Sequence, residues 1–140
     1  MKIKVTKFTN DLLPQYALDM DAGADISIPV EVEIRKGINK IPLGFAVELP
    51  NGCFGLILPK SGNKMPYSLQ PVPIDPSYTG ELHAIMLAHE DYVIPAKKKI
   101  GQLVIMPFVR ADFVENTLVK RGNRGFGSTG EFMEGKNEHS

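Results

Sequence analysis

The chain alternates apolar and polar side chains over short distances, then breaks the pattern before a helix can build. Ile3 and Val5 are separated by lysine, and Val30, Val32 and Ile34 by Glu31 and Glu33, with Arg35 following. A period of two puts one set of side chains on one sheet face, so both stretches predict half-buried strands. Phe45 to Leu49 and Phe54 to Leu58 predict two more, with Asn51-Gly52 as a tight hairpin turn between them. Leu82 to Ala88 and Ile100 to Phe108 are mostly apolar, the pattern of buried strands, and Val109 to Val119 is a candidate for a further one. The best helical candidate, Asn10 to Met20, carries Pro14 inside it. The 13 Gly and 11 Pro are spread through all 140 residues and interrupt any long helix. Many short strands at regular spacing predict an all-β barrel or sandwich, not alternating β/α units.

Charge and cysteine content narrow the function. Lys plus Arg and Asp plus Glu both number 16, a net charge of zero, which argues against a dedicated nucleic-acid-binding protein. It leaves room for a local basic site that takes a small anion. The single cysteine, Cys53, allows neither an intrachain disulfide nor a cysteine-based zinc site. It follows a turn and reads as a small packing residue. No segment approaches the length of apolar run that crosses a membrane, and Met1-Lys2-Ile3-Lys4-Val5 does not open a signal peptide. A cytoplasmic protein is expected. His83, His89 and His139 share no metal-ligand spacing, and His83 falls on a predicted strand where a surface or packing role is favoured over a ligand contact.

From Arg121 to Ser140 the character changes to glycine-rich, with Phe126 alone among Gly122, Gly125, Gly127 and Gly130 and flanked by Arg121, Arg124, Ser128 and Thr129. Composition alone predicts a mobile tail. A glycine-rich backbone can also turn several N–H groups toward one anion, and a lone aromatic can stack on a flat ring. A phosphate-bearing base suits such a segment. It is not a P-loop, because G-x-x-x-x-G-K-[ST] is absent.

Five short segments carry the remaining chemistry: Ala22-Gly23-Ala24-Asp25-Ile26, Pro59-Lys60-Ser61-Gly62, Ile74-Asp75-Pro76-Ser77-Tyr78-Thr79-Gly80-Glu81, Lys99-Ile100-Gly101-Gln102-Leu103, and Arg121 to Gly130. Each alone reads as a turn or loop. Together, in this order, they resemble the five motifs of the homotrimeric dUTPase family (deoxyuridine 5'-triphosphate nucleotidohydrolases). The resemblance implies a distorted, jelly-roll-like β-barrel over residues 1–120 and a flexible arm over 121–140. It implies hydrolysis of dUTP to dUMP and pyrophosphate in a homotrimer whose active sites are shared between subunits.

The resemblance also implies roles. Asp75 would orient and deprotonate the water that attacks the α-phosphorus. Tyr78 would pack under the deoxyribose and leave no room for a 2′-hydroxyl. Ile74 would bind substrate, and the hairpin from 71 to 82 would hold uracil through backbone groups. Ser61 and Gln102 would donate hydrogen bonds to phosphate oxygens, Arg121 would reach the triphosphate, and Lys60 and Gly62 would bind substrate beside them. Phe126, Gly127 and Ser128 would close the site, with the ring on uracil. Asp25 would have a structural or water-ordering role. Mg²⁺ would ride on the triphosphate and not on a protein cage.

The chain departs from the family pattern at four places. Lys60 stands where the second motif usually has Arg, and Val72, between Pro71 and Pro73, where a Gly is usual. Lys97-Lys98-Lys99 replace the Gly-Asp-Arg of the fourth motif, and that run reads as a solvated turn. Arg124 replaces the first of two glycines before the Phe. Two rivals remain: a non-catalytic nucleotide-binding member of the family, and a dCTP deaminase. The deaminases carry a glutamate proton shuttle ten residues past the aspartate, where this chain has Ile85.

Overall fold

A computed structural model of the chain describes residues 1–60 and 65–117. Among them are eleven strands and no helix: β1 (Lys4–Lys7), β2 (Ala24–Ser27), β3 (Val32–Ile34), β4 (Gly37–Pro42), β5 (Phe45–Glu48), β6 (Cys53–Leu58), β7 (Tyr67–Leu69), β8 (Val72–Ile74), β9 (His83–Ala88), β10 (Tyr92–Ile94) and β11 (Lys99–Pro107). Every pairing is antiparallel. The strands form four sheets, β1-β5, β3-β10, β2-β11-β6-β8 and β4-β9-β7. The sheets do not close on themselves, which makes the unit from Met1 to Val109 a distorted, jelly-roll-like barrel. Arg110–Ser140 is a second unit.

The predicted alternation decides which faces meet in the core. In β9, Ala84, Met86 and Ala88 are buried while His83, Ile85 and Leu87 are only half-buried. The core gathers Ile28, Ile34, Leu43, Phe45, Ile57, Met86 and Ile94, each essentially sealed from solvent.

Three expectations are corrected here. Residues 10–20 form no helix. The side chain of Asn10 donates to the carbonyls of Ser27 and Leu43 at 3.0 and 2.9 Å and accepts from the Leu12 N–H at 3.0 Å. Gln15 then makes an isolated bridge with Asp25. With Pro14 between them, these long-range bonds replace the local helical ones. Second, Asn51-Gly52 does form a turn, Cys53 N–H reaching the Pro50 carbonyl at 3.1 Å, but β5 and β6 do not pair with each other. Gly52 alone has positive φ in it, +88°, the signature of a type II turn, whose twist splays strands where a type I′ turn would join them. The turn hands the chain from one sheet to another: β5 pairs with β1, and β6 with β11 and β8. Third, no strand forms between 109 and 117. The last two residues of that candidate, and the expectations for the glycine-rich arm, lie outside the described residues.

Asn10 is 2% exposed and serves three backbone groups at once. Asn10→Ala removes a side-chain donor from each of two carbonyls and the acceptor for Leu12 N–H, which should cost about 2–4 kcal/mol. Asn10→Asp should be at least as damaging, because it sets carboxylate oxygens against those carbonyls. Melting temperatures of the three proteins check this, and an unchanged midpoint in Asn10→Ala would refute the role.

Candidate active site

The predicted site residues among those described fall into two clusters at different places on the β2-β11-β6-β8 sheet. The first is built on a buried carboxylate. Asp25 is 8% exposed and lies in β2 opposite Gln102 of β11. Its Oδ1 accepts from Lys60 Nζ at 2.6 Å and its Oδ2 pairs with Lys99 Nζ at 3.1 Å. A β-bulge makes this possible. Lys99 stands opposite Ser27 and Gly101 opposite Ile26, so Ile100 is the extra residue. A slip of one residue changes which face a side chain takes. Lys99 and Gln102, three apart, thereby share the face of Asp25 and Ser27. Gly23 completes the fit, because a Cβ there would run into the Gln102 side chain. The Gln102 amide donates one N–H to the Pro59 carbonyl at 3.3 Å and keeps a second.

The lysine run is therefore not simply a solvated turn. Lys97 occupies the turn, with φ +68° and Lys98 N–H on the Pro95 carbonyl at 3.3 Å, at the position where the family usually has Gly. Lys99 is already in β11 and binds the buried acid. Sequence reasoning missed this partner, although Lys60 and Lys99 both stand where the family motifs have Arg. Ser61 and Gly62 lie outside the described residues.

The second cluster surrounds an open pocket of about 270 Å³ between β8 and β9, lined by Ile74, Asp75, Tyr78, Glu81, Leu82 and His83 among others. The segment from 71 to 82 is not a hairpin. β8 is the edge of one sheet and β9 the centre strand of another, so the space between them is open. After β8 the chain turns at once, Tyr78 N–H meeting the Asp75 carbonyl at 3.0 Å. The Tyr78 hydroxyl donates to the Glu81 carbonyl at 2.6 Å. A Cβ on Gly80 would stand 2.8 Å from that hydroxyl oxygen, so glycine leaves the space for the ring. The Glu81 carboxylate accepts from Gly44 N–H at 2.8 Å and clamps the loop to the start of β5. Ile74 is buried below the pocket and Asp75 is exposed at its mouth. His83, half-buried in β9, lines the pocket. Lys40 lines it too and was not anticipated.

Among the described residues no group of three or more His, Cys, Asp or Glu side chains gathers where it could hold a metal ion. No helix among them is long and apolar enough to cross a membrane.

The Lys60 hydrogen bond holds the Asp25 carboxyl below its usual range, joined by Lys99 and opposed by burial. With the folded value below the unfolded one, this stabilisation is complete above an unfolded value of about 4 and is lost as pH falls through the folded value. Asp25→Asn should therefore lower the melting temperature at pH 7. The gap to the wild type should begin to close as pH falls below about 4. Thermal melts across that range check it, and a gap independent of pH would remove the ion pairs from the explanation.

A family profile described as dUTPase matches residues 10–130. The chain is 35% identical over 141 residues to the deoxyuridine 5'-triphosphate nucleotidohydrolase of Gloeothece citriformis, covering 93% of this chain and 97% of that one. It is 36% identical to the protein of the same name from Clostridium tetani, over 94% of this chain and 97% of the relative. The dUTPase of phage phi11 of S. aureus, solved to show coordination of a structural Mg(II) ion, is similar with a TM-score of 0.76 at 21% identity, over 84% of this chain and 97% of its own. The dUTPase of Staphylococcus bacteriophage 80alpha with dUpNHpp gives 0.75 at 22% identity, over 90% and 96%. The solved structures share the barrel, the curated relatives share the sequence nearly end to end, and the profile takes in both clusters of the site: the chain belongs to the dUTPase family.

Proposed function

We propose that this protein hydrolyses dUTP to dUMP and pyrophosphate, taking the nucleotide as its magnesium complex. The observation that carries the reading is the placement of Asp75 and Tyr78 together at the open gap between two sheets, in a chain of this family. Asp75 at the mouth receives the proton of the water that attacks the α-phosphorus. The new P–O bond forms as the bond to the bridging oxygen breaks, and pyrophosphate leaves. Tyr78, fixed by its hydroxyl on the Glu81 carbonyl, lies against the sugar. Lys60, Ser61, Gly62, Gln102 and Arg121 bind phosphate oxygens, and the arm segment of Phe126, Gly127 and Ser128 covers the base. The magnesium ion carried by the substrate neutralises phosphate charge. A cytoplasmic setting accords with this chemistry.

Deamination of dCTP is not favoured. Ile85 lines the pocket where a carboxylic acid would have to shuttle protons, and an aliphatic side chain cannot do so. Asp75 and Tyr78 line one pocket and Lys60 and Lys99 meet at Asp25, which supports catalysis over the non-catalytic alternative.

The spacing of the two clusters supports a shared site. Ile74 stands opposite Gly55 and Gln102 opposite Leu58. They are three residues apart along β6, about 10 Å, and on opposite sides of it, about 10 Å more. Asp75 and Gln102 of one chain are thus too far apart to act on one phosphorus. A homotrimer, with the base pocket of one subunit facing the phosphate cluster of another and residues 121–140 as an arm beyond a domain of 1–120, brings them together.

Two measurements test these readings. Asp75→Asn should fold and bind a non-hydrolysable dUTP analogue, with kcat reduced by about 10²–10⁴-fold; near-normal turnover would take Asp75 out of the mechanism. Light scattering at micromolar concentration should return three times the 15.4 kDa chain mass. A mass of one chain would defeat the shared site.

A further inference from the structure

The loop between β8 and β9 carries a tether that the reaction above does not use. The Tyr78 ring is 45% exposed, so packing alone holds it loosely. Its hydroxyl donates to the Glu81 carbonyl at 2.6 Å, and the ring therefore goes where that carbonyl goes. The trans peptide joining Glu81 to Leu82 sends its N–H the opposite way, to the Phe45 carbonyl at 2.9 Å. One such bond leaves a peptide free to swing about it.

The Glu81 carboxylate supplies the second point. Its Oε2 accepts from Gly44 N–H at 2.8 Å, one residue before Phe45. That donor is itself fixed. Gly44 has φ +80°, and a Cβ there would stand 2.5 Å from Thr9 Oγ1 and 2.7 Å from the Asn10 nitrogen, so only glycine fits. The Gly44 carbonyl accepts from Phe8 N–H at 2.8 Å and Asn10 N–H at 3.2 Å. A chain of bonds thus runs from the N-terminal segment through Gly44 and Glu81 to Tyr78. Glu81 makes no ion pair with a described residue, so its carboxylate serves here as an acceptor and not as a charge.

We propose that Glu81 is the positioning residue for sugar selection: its carboxylate, held at Gly44, sets the Tyr78 ring where it bars a 2′-hydroxyl. A steric gauge rejects by position, and a ring free to move aside admits the extra oxygen. The inference rests on the dUTP reading above. It adds that the preference for deoxyribose is set through a side chain turned toward Gly44.

The test is kcat/KM for dUTP and UTP with the wild type, Glu81→Met, Glu81→Gln, Tyr78→Phe and the double variant Glu81→Met/Tyr78→Phe. Methionine keeps the length of the side chain and removes its acceptor, whereas glutamine keeps an acceptor oxygen. The dUTP-to-UTP ratio should fall by about tenfold or more in Glu81→Met and stay within about threefold of the wild type in Glu81→Gln. Tyr78→Phe lacks the tethering hydroxyl and should show a similar fall. The double variant should lose no more than the larger single loss, because both changes cut one tether. A merely structural role would lower activity toward both nucleotides together and leave their ratio. A ratio within about twofold of the wild type in Glu81→Met or Tyr78→Phe therefore overturns the tether and leaves dUTP hydrolysis standing. Glutamine as damaging as methionine, or losses that multiply in the double variant, would overturn it equally. Dissociation constants for non-hydrolysable dUTP and UTP analogues give the same ratio in a variant too slow to assay, and Glu81→Ala replaces Glu81→Met if that protein fails to fold. A wild type that turns over neither nucleotide overturns the dUTP reading and this inference with it.

Discussion

Taking a carboxylate out of water costs several kcal/mol unless its charge and lone pairs are answered. Asp25 is answered on both oxygens, by Lys60 and Lys99. Those two lysines come from the end of β6 and the start of β11, and Asp25 itself from β2, so one ionic requirement fixes the relative position of three distant segments. Gln102 is positioned by the same arrangement, opposite Asp25 and packed over Gly23. If either lysine moved away, the acid would be left under-compensated in a buried place. Asp25, Lys60, Lys99 and Gln102 are held together for that reason, even though the lysines are part-exposed.

The base end has a different origin, in topology. Two consecutive strands that paired would leave no space between them. β8 and β9 belong to different sheets, and the loop between them is tied down by its own bonds. The Glu81 carbonyl receives both the Tyr78 hydroxyl and the His83 ring N–H, while the Glu81 carboxylate reaches Gly44. One residue thus orients two pocket walls and anchors the loop to β5.

Alternation over short stretches was enough to read the all-β class, and β9 and β11 lie close to where their apolar runs are. The motif string named Asp75, Tyr78, Asp25 and Gln102, and the fold sets the first two on one pocket and the last two side by side on one sheet. Pairing was not legible. The Asn51-Gly52 signal says that a turn forms but not its type, and the single positive φ at Gly52 decides that β5 and β6 part. The Asn10 segment looked helical because its apolar spacing is local information, whereas the carbonyls that Asn10 serves belong to Ser27 and Leu43. Lys99 was read as solvated because nothing local reveals a bulge at Ile100, and the bulge decides its face.

The departures from the family pattern also look different in space than in sequence. Read singly, Lys60 and Lys99 each lose the planar fork of an arginine. They meet on one carboxylate, however, where a fork commonly takes both oxygens of its partner at once. Two lysines, each a compact single-point donor, divide Asp25 between them, one oxygen each. Lys97 likewise occupies a left-handed position where glycine is usual. That conformation costs about 1–2 kcal/mol and is held by Lys97 N–H on the Ile28 carbonyl at 2.9 Å and Ile28 N–H on the Lys98 carbonyl at 3.2 Å. Those two bonds pin the turn to the end of β2, next to Ser27, and so set the start of β11 at the height where Lys99 can reach the acid. Lys97 and Lys99 are therefore coupled through backbone geometry: the turn held at one sets the reach of the other.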